Sequence, residues 1–444
     1  MGEVTLIEIL EAREKRVSRQ RELLEKYSRP LICFTMNIAG PIKVTPLIER
    51  AFFEGLGFLE NKLSHEKVLL SEDAALPTGC EAFLSVDMDA KELKKICIEI
   101  EEATPLGRLF DMDVLDTDGR KLDREIERSC IVCGKKGRSC SAGRLHSVEE
   151  LQEVTRRIMH AHFEEADRKK ISSIAVQSLI EEVKTTPKPG LVDIRNSGSH
   201  TDMDIDTFIK SANALAPYFY NCIRIGQETK ALSSAEVFSR LREEGIRAEK
   251  TMYDVTGGVN THKGAIYSFG IICGAVGRLW TSGNPIARTD EIFSECAKLV
   301  FGSIREDFEN IDSSTAGGRL YLECGMRGIR GEVADGFPSV SEISLPIYEK
   351  AIGDGLSQND AGVLSLLHMI ANVDDTTLYN RGGIAGMEFA KISVRELLEK
   401  SPFPDKKEVE ELDDRFIEKN LSPGGCADLL AVTYFLHKIK SGVI

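Results

Sequence analysis

Hydrophobic positions in the first 120 residues alternate between helical and extended spacing. Apolar residues at helical spacing predict an amphipathic helix over 6–26 and a second one from Leu47 to Leu56. Short apolar segments bounded by turn residues predict strands over 31–38, 82–86 and 109–115. Alternation of this kind is typical of an α/β or α+β domain.

From residue 147 onward the spacing is helical almost throughout. Ser147 and Glu150 form a capping box, and the charged stretch 163–170 leads into a further helix that starts at Ile171. Because strand-like alternation is scarce from there on, we place a domain boundary near Asp167. The sequence therefore predicts a multidomain chain, with an α/β (α+β) domain over 1–167 and an all-α domain over 168–444.

Length, charge and cysteine usage narrow the class of protein. A chain of 444 residues is long enough for two or three domains. The net charge of −14 argues against binding nucleic acid through a general basic field. No signal-peptide pattern opens the chain, and the uncharged stretch from Lys263 to Arg278 is too short to cross a membrane. With eleven cysteines read as reduced thiols, we expect a cytoplasmic protein that binds neither nucleic acid nor a membrane.

Six glycine-containing loops lie between the predicted helices of the second domain. The stretch 256–264, TGGVNTHKG, opens a long helix, although its glycine spacing is not that of a Walker A motif. Free N–H groups at a glycine-rich helix start, together with a lysine, form an anion site. A structural helix C-cap is the alternative for any single glycine, and a buried structural histidine is the alternative for His262. The candidate anion contacts are Lys188, Gly257, Gly258, Asn260, His262, Lys263, Arg330, Arg381, Gly424 and Gly425.

Four long motifs from these loops resemble the triphosphoribosyl-dephospho-CoA synthase family over about residues 171–444: TPKPGLVD, GVNTHKGAIYSFG, GIRGEVADGFPSV and LSPGGCADLLAVTYFL. The resemblance implies transfer of the triphosphoribosyl group of ATP to the 2′-hydroxyl of 3′-dephospho-CoA, with release of adenine. One departure is the sequence Thr315-Ala316-Gly317-Gly318, where the family pattern has a histidine and an acid after the threonine.

The implied reaction calls for carboxylates and a metal. Displacing adenine from C1′ builds oxocarbenium character, which carboxylates stabilise, and a proton donor assists the leaving base. A triphosphate also calls for Mg²⁺, held by carboxylates and water. The acidic candidates are Asp193, Glu332 and Asp374 for catalysis, Asp202 and Asp204 for Mg²⁺, and Asp375 for either role.

A pair of acids marks the last predicted strand of the first domain. In the stretch GRLFDMDVLD, Asp111 and Asp113 lie two residues apart and so share a face of a strand. Two carboxylates on a rigid strand suit a Mg²⁺ site for nucleotidyl transfer. A solvated edge strand that runs into a turn is the alternative. Arg108 and Lys43 are candidate phosphate contacts, and Asp87 or Asp116 is a candidate third carboxylate.

The first domain resembles the apo-citrate lyase phosphoribosyl-dephospho-CoA transferase family over about residues 5–165, through TMNIAGPIK, LPTGCEAFLSVD and PLGRLFDMDVLD. The resemblance implies a nucleotidyltransferase-like domain that attaches the product of the other domain to a serine of the citrate lyase acyl carrier protein, with loss of pyrophosphate. It strengthens the assignment of Asp111 and Asp113 as metal ligands and catalytic residues.

Cysteines and a histidine follow the acid-bearing strand. Cys130, Cys133, Cys140 and His146 are compatible with a small tetrahedral Zn²⁺ site. Free cytosolic cysteines are the alternative. Redox catalysis is less favoured, because no thioredoxin-like βαβ pattern surrounds the CxxC pair.

Three hypotheses for the function follow. The first is a bifunctional transferase that makes the prosthetic-group precursor and installs it. The second is a helical ADP-ribosyl or nucleoside hydrolase fused to a nucleotidyltransferase. The third makes the first domain a non-catalytic module that docks the carrier protein. The analogous carrier of malonate decarboxylase remains an alternative acceptor, although the resemblance of the first domain favours citrate lyase.

Overall fold

The computed structural model describes residues 2–309 and 316–442. The chain divides into two compact units. The sheet unit comprises Met1–Ala166 with Thr281–Asn284, and the helical unit comprises Asp167–Trp280 with Pro285–Ile444.

The sheet unit begins with a capped helix and continues through four strands. The Thr5 hydroxyl accepts the Glu8 N–H and the Glu8 carboxylate accepts the Thr5 N–H, so the first helix starts at a complete capping box. The elements are α1 Leu6–Tyr27, β1 Leu31–Met36, α2 Pro46–Lys62, β2 Val68–Leu76, β3 Gly79–Val86, α3 Ala90–Ala103, β4 Phe110–Leu115 and α4 Gly137–Gly143.

The four strands form one antiparallel sheet in the order β2-β3-β1-β4. Strand β4 is therefore an edge strand. Thr35 of β1 lies opposite Glu81 of β3 and Asp111 of β4. Because directly opposed residues point to the same face of a sheet, these three side chains share a face. The antiparallel order makes this unit the α+β form of the predicted pattern.

Both faces of the sheet carry hydrophobic residues. On one face Phe34 stacks on Phe52 of α2 at 4.8 Å and meets Phe110 edge-on at 5.3 Å. On the other face, Leu23 and Leu24 of α1 belong to a smaller buried cluster with residues of β1, β3 and β4. Helix α1 thus covers the face that carries the acids of β4.

One long helix, α5 Val148–Lys184, begins in the sheet unit and ends in the helical unit. The predicted capping box is present at its start, since the Glu150 N–H donates to Ser147 Oγ at 3.1 Å and the Ser147 N–H donates to Glu150 Oε2 at 2.9 Å. The sequence predicted two helices here, but there is a single 37-residue helix. The charged stretch 163–170 contains neither proline nor glycine, so nothing breaks the helix there.

Among the described residues of the helical unit, every regular element is helical, which confirms the prediction of a largely helical second part. A short π-helical segment, Ser339–Ser344, precedes α13. The remaining helices are α6 Ile205–Ala214, α7 Ala216–Glu228, α8 Ser234–Thr256, α9 Lys263–Leu279, α10 Thr289–Glu309, α11 Ala316–Cys324, α12 Gly328–Ala334, α13 Leu345–Gly353, α14 Gln358–Asn372, α15 Thr376–Lys400, α16 Lys406–Glu418 and α17 Gly424–Lys440.

Close helix packing brings the loops of this unit together. A Cβ at Gly226 of α7 would lie 2.2 Å from the Gly274 carbonyl oxygen of α9, and a Cβ at Gly277 would lie 2.2 Å from the Ile223 carbonyl oxygen. The two backbones therefore approach closely only because glycine lacks a side chain. Helices α9 and α17 are buried along most of their length, so their first turns are held firmly.

Within residues 2–309 and 316–442, no helix combines the length and apolar character that a membrane span requires.

Candidate active sites

A cavity of about 1110 Å³ in the helical unit gathers most of the predicted site residues. It lies among the first turns of α9, α15 and α17, the short helix α12 and the loop before α6. The predicted residues that line it are Lys188, Asp202, Asn260, His262, Lys263, Glu332, Asp374, Asp375, Arg381, Gly424 and Gly425.

Asp428 links two helix starts at this cavity. It lies one turn inside α17, and its carboxylate lies near the backbone N–H of Ala265 in the first turn of α9, which lowers its pKa in part. A Cβ at Gly264 would lie 2.0 Å from Asp428 Oδ2, so glycine is needed where the two helices meet. Burial of the carboxyl group raises its pKa well above the ordinary value, and the charges of Glu182 and Asp375 raise it further.

Glu332 of α12 is a second acid with a raised pKa. Burial raises the pKa of its carboxyl group, whereas hydrogen bonds from Ser339 lower it in part. The Ser339 N–H donates to Glu332 Oε1 at 2.7 Å and the Ser339 hydroxyl donates to Oε2 at 3.0 Å. Both carboxylate oxygens are therefore fixed in direction.

Lys188 is buried, with a relative exposure of 1%. Its Nζ donates to the Glu182 carbonyl oxygen at 2.8 Å and forms an ion pair with the Glu182 carboxylate. Burial raises the pKa of Glu182 and the Lys188 charge opposes that shift. The predicted phosphate contact of Lys188 thus competes with an internal partner.

His262 immediately precedes α9 and is also buried. Its Nδ1 lies 2.8 Å from the Ser211 hydroxyl, whereas Nε2 has no hydrogen-bond partner among the described residues. Burial lowers the pKa of His262 to about 3, and the charge of Lys188 contributes. The sequence left two roles open for His262, an anion contact and a buried structural histidine. A buried, neutral imidazole with one hydrogen-bonded nitrogen at the cavity is compatible with both.

Arg381 and His200 form a polar chain at the cavity. Arg381 Nη1 donates to the Ser199 carbonyl oxygen at 2.8 Å, and Nη2 lies 3.0 Å from His200 Nδ1. Because a guanidinium can only donate, Nδ1 is the acceptor, and His200 Nε2 donates to Ser422 Oγ at 2.9 Å. Burial and the Arg381 charge lower the pKa of His200 to about 4.

The two acids before α15 have different surroundings. Asp374 lines the cavity, is 64% exposed and pairs with Lys391. Asp375 is buried and caps α15 through the Thr377 and Leu378 N–H groups at 2.7 and 3.1 Å. Its Oδ2 also accepts the Cys426 N–H of α17 at 2.8 Å. Asp374 is therefore the more available ligand, and Asp375 the structural one.

Asp193 and Asp204 do not line the cavity. Asp193 is buried and holds its own loop together, since it accepts from Thr186 Oγ1 and Lys188 N at 2.9 Å and from the Arg195 N–H at 2.7 Å. Asp204 caps α6 through the Thr207 N–H at 2.9 Å. The structure thus favours a loop-forming role for Asp193 over the predicted catalytic one. It also does not support Asp202 and Asp204 as a metal-binding pair.

Three other predicted contacts are also absent from the cavity lining. Gly257 and Gly258 end α8 in left-handed conformations, with φ of 69° and 92°, which is the C-cap alternative considered above. Arg330 lies on α12 between two lining residues, Ile329 and Gly331, without lining the cavity itself. Thr315, the first residue of the departure from the family pattern, lies outside the described residues.

Sequence reasoning missed four acidic residues that line the cavity, namely Glu182, Asp335, Glu342 and Asp428. The motif LSPGGCAD ends in Asp428, and its position one turn after two helix-opening glycines was the available signal. Glu182 lies inside a long helical pattern, where no local feature distinguishes it from other glutamates.

In the sheet unit, Asp111 and Asp113 do share one face of β4. They alternate with the buried residues Phe110, Met112 and Val114. Lys121 Nζ lies 2.6 Å from Asp113 Oδ2. Desolvation and the negative charge of Asp113 raise the pKa of the Asp111 carboxyl group. The sequence predicted that the two acids share a face, and it left a solvated edge strand as the alternative. Strand β4 has both properties, because it is an edge strand and its two acids lie on one face.

Glu81 shares the face of this pair, whereas the predicted phosphate contacts Arg108 and Lys43 donate to backbone carbonyl groups. Glu81, on the same face as Asp111, accepts from Arg16 Nε of α1 at 2.7 Å. Arg108 Nη2 donates to the Ser129 carbonyl oxygen at 2.5 Å, and Lys43 Nζ donates to the Ile38 carbonyl oxygen at 2.5 Å. Glu81, which sequence spacing did not single out, comes within reach of this face only through strand pairing.

The sulfur and nitrogen atoms of the predicted zinc ligands converge. One ligand atom from each of Cys130, Cys133, Cys140 and His146 lies within 4.8 Å of the other three.

Comparison with known proteins agrees with this division. The family model described as ATP:dephospho-CoA triphosphoribosyl transferase matches residues 168–443. The model described as apo-citrate lyase phosphoribosyl-dephospho-CoA transferase matches residues 4–162. Two transferase families in one chain define a bifunctional transferase.

Individual relatives show the same arrangement. Protein CitXG of Haemophilus influenzae is 35% identical over 459 residues, which covers 99% of this chain and 97% of the relative. Protein CitXG of Leuconostoc mesenteroides subsp. cremoris is 32% identical and covers 98% and 97%. The 2-(5''-triphosphoribosyl)-3'-dephosphocoenzyme-A synthase of Klebsiella pneumoniae is 38% identical over 283 residues, 62% of this chain and 92% of the relative.

The chain belongs to the ATP:dephospho-CoA triphosphoribosyl transferase family, joined to an amino-terminal part of the apo-citrate lyase phosphoribosyl-dephospho-CoA transferase family. Both resemblances inferred from the sequence motifs, and the bifunctional transferase that they implied, are confirmed.

Proposed function

We propose that the helical unit binds ATP and 3′-dephospho-CoA in its cavity and joins them. The 2′-hydroxyl of dephospho-CoA attacks C1′ of the ATP ribose, the bond from C1′ to adenine breaks, and the proton lost by the hydroxyl balances the one gained by adenine. The observation that carries this proposal is the meeting of the first turns of α9 and α17 at Asp428, because it places a carboxyl group of raised pKa in a cavity that Lys263 and Arg381 also line.

The two acids of raised pKa receive different roles. Asp428, shielded and near other negative charges, donates the proton to the departing adenine. Glu332, whose two oxygens are held by Ser339, presents its carboxylate to the developing oxocarbenium. These assignments rest on the physical difference between the two environments.

A triphosphate is negatively charged, and so are the carboxylates of this cavity, so its binding requires nearby positive charge. Asp202 and Asp374 are 61% and 64% exposed and line the cavity, so they are the carboxylates available to hold Mg²⁺. Lys263 is 54% exposed and forms an ion pair with Glu249 Oε2 at 3.0 Å. Lys263 and Arg381, which both line the cavity, supply the positive charge for the phosphate oxygens.

For the sheet unit we propose a nucleotidyltransferase-like activity at Asp111 and Asp113. A serine hydroxyl of the citrate lyase acyl carrier protein attacks the phosphorus next to the ribose, and pyrophosphate leaves. Mg²⁺ held by the two carboxylates would neutralise the phosphates and stabilise the attacked phosphorus. Lys121, 2.6 Å from Asp113 Oδ2, holds this carboxylate in position until the metal arrives.

One incubation tests both steps. The protein, ATP, 3′-dephospho-CoA, Mg²⁺ and apo-carrier are combined; adenine is measured by chromatography and the carrier by mass spectrometry. We expect adenine release that depends on dephospho-CoA, and a carrier heavier by one phosphoribosyl-dephospho-CoA group. Adenine release without dephospho-CoA would instead indicate the hydrolase alternative. An unmodified carrier, when the preformed precursor is supplied, would indicate that the sheet unit only docks the carrier.

A further inference from the structure

We propose that Cys130, Cys133, Cys140 and His146 bind one structural Zn²⁺ that folds the segment 124–146 beside strand β4. The ligand atoms of the four side chains already lie close to one another. Cys133 Sγ lies 3.4 Å from Cys140 Sγ, and His146 Nε2 lies 3.3 Å from Cys133 Sγ. Four ligand atoms within 4.8 Å of one another can surround an ion with zinc–sulfur distances of about 2.3 Å, which place neighbouring ligands about 3.7 Å apart.

The local backbone is built around the CxxC pair. The Gly134 N–H donates to the Cys130 carbonyl oxygen at 2.9 Å, and the Cys130 N–H donates to the Lys135 carbonyl oxygen at 2.6 Å. Gly134 has a φ of 72°, a left-handed conformation that turns the chain back after the second cysteine. The third and fourth ligands follow on α4 and just beyond it, where the Leu145 N–H donates to the Cys140 carbonyl oxygen at 3.1 Å.

The segment lacks a hydrophobic core that would fold it without a metal. Between residues 116 and 147, Cys140 is the one hydrophobic residue that is buried among the described side chains. Ile126 and Leu145 are 79% and 61% exposed. A segment with so little apolar burial needs another source of order, and bound zinc supplies folding free energy directly.

The ligand set favours a closed, structural site. Three thiolates and one imidazole fill the four positions that Zn²⁺ takes in structural sites, so no position is left for a substrate. Glu150 Oε2 lies 3.8 Å from His146 Nδ1, on the ring nitrogen opposite to the proposed ligand atom, where a carboxylate commonly orients a zinc-bound histidine. The 3.4 Å between the two nearest sulfur atoms is far longer than the roughly 2.05 Å of a disulfide.

Zinc at this position would order groups next to the paired acids. Arg128 Nη1 donates to the Phe110 carbonyl oxygen at 2.6 Å, at the start of β4. The Gly137 N–H in turn donates to the Arg128 carbonyl oxygen at 3.0 Å, and Arg108 donates to Ser129. The segment that carries the cysteines thus reaches the residue directly before Asp111. The expected effect on carrier modification rests on the function proposed for the sheet unit, whereas metal binding does not.

Metal content of the intact chain is the primary test. The protein is purified from cells supplied with zinc, and metal is measured per chain by mass spectrometry of the elements. We expect one Zn²⁺ in the wild type and in Cys324→Ser, which removes an exposed cysteine outside the cluster. Cys133→Ser and His146→Ala should lose the metal, and His146→Cys should retain it because a thiolate replaces the imidazole. Cobalt substitution should give the intense visible bands of a tetrahedral thiolate site.

Wild-type protein with less than about a tenth of an equivalent of zinc would overturn the proposal. Thiol titration of the denatured chain is a second check: a count two below its eleven cysteines would indicate a disulfide and would also overturn it. The wild-type measurement remains decisive even if a variant fails to fold. A second readout uses chelated protein, returned to buffer with Mg²⁺ alone. Proteolysis within 124–146 and loss of carrier modification should appear together, adenine release should persist, and Zn²⁺ should reverse both changes. Carrier modification that survives complete zinc removal would refute the effect on β4 while leaving the binding site in place.

Discussion

At the residue scale, the surroundings of Asp428 raise the pKa of its carboxyl group. Its group is enclosed between α17 and the start of α9, and two further acids lie near it. If it donates the proton to adenine, Asp428→Asn should lower the rate of adenine release by roughly 10²–10⁴-fold, the usual contribution of a general acid. Chromatographic adenine assays at saturating ATP measure this change.

The matched control is Asp354→Asn, an exposed aspartate at the end of α13, which should retain full activity. Helical content and melting temperature should stay unchanged in both variants. Adenine release by Asp428→Asn within a factor of two of the wild type would remove this residue from the proton-transfer step.

His262 gives a prediction about pH and stability. Burial depresses its pKa to about 3, below the ordinary 6.5, and His200 shifts in the same direction to about 4. A histidine whose folded pKa is depressed contributes stability above the unfolded pKa and loses it as pH falls. For each such residue we expect a loss of up to about 1.4 kcal/mol per pH unit below about 6.5.

Thermal unfolding of the wild type and His262→Gln between pH 7.5 and 4.5 checks this prediction. The glutamine variant should be less sensitive to acid, because it carries no group that must be protonated at this position. Parallel pH profiles for the two proteins would mean that His262 is accessible to water and titrates normally.

The residue scale also shows where sequence reasoning succeeds and where it fails. Glu332, Lys263 and Arg381 were chosen from charged loop motifs, and all three line the cavity. Asp193 was chosen on the same ground, but backbone N–H groups occupy its carboxylate. Which acid serves the loop and which faces the cavity depends on hydrogen bonds that spacing does not encode.

At the scale of elements, the beginning of α9 depends on a glycine. Because a Cβ at Gly264 would lie 2.0 Å from Asp428 Oδ2, Gly264→Ala should push the carboxylate away from its position. A displacement of about 1 Å at a reacting group can reduce the rate by about 10²-fold. We expect a fall in adenine release of at least about 10-fold, with the melting temperature changed by only a few degrees.

Gly302→Ala in α10 is the control, since a Cβ there meets no atom within 4 Å. It should leave activity intact and stabilise the helix slightly, because alanine has the higher helix propensity. Equal activity of the two alanine variants would show that Asp428 tolerates displacement.

Elements with a strong apolar period were predictable, and weakly patterned ones were not. Helix α1 and strands β1, β3 and β4 match the predicted segments to within a few residues. Strand β2 was not predicted, because it is an edge strand without a buried residue and its alternation is faint. Helix α5 was predicted as two helices, since a run of charges within it resembles a junction.

At the scale of the whole molecule, the two activities should be separable by single substitutions. Asp113→Asn should abolish carrier modification and leave adenine release unchanged, because the cavity residues belong to the other unit. Asp428→Asn should do the reverse when the preformed precursor is supplied. Asp118→Asn, in the exposed turn after β4, is the control for the first variant.

An equimolar mixture of Asp113→Asn and Asp428→Asn proteins should therefore modify the carrier from ATP and dephospho-CoA. Its rate should be lower than that of the wild type at low protein concentration if the fused arrangement raises the local concentration of the intermediate. A mixture without any activity would mean that each step requires both intact units in one chain.

The identity of both halves was accessible from motifs, whereas the assembled site was not. Long loop sequences in fixed order carry the family resemblance without any structure. The cavity, however, combines residues separated by more than 200 positions, such as Lys188 and Gly424. Only the packing of α9, α15 and α17 brings them together, and packing distances do not follow from helical spacing alone.

Asp375 fastens the beginnings of α15 and α17 to each other, because one carboxylate accepts N–H groups from both helices. The two first turns therefore form a single rigid wall, and a ligand cannot be accommodated by moving one of them alone. For the nucleotides proposed to bind in this cavity, selectivity for shape would then be set by backbone hydrogen bonds, which change little from one bound molecule to another. An enzyme built in this way discriminates by excluding misfits rather than by adjusting to them.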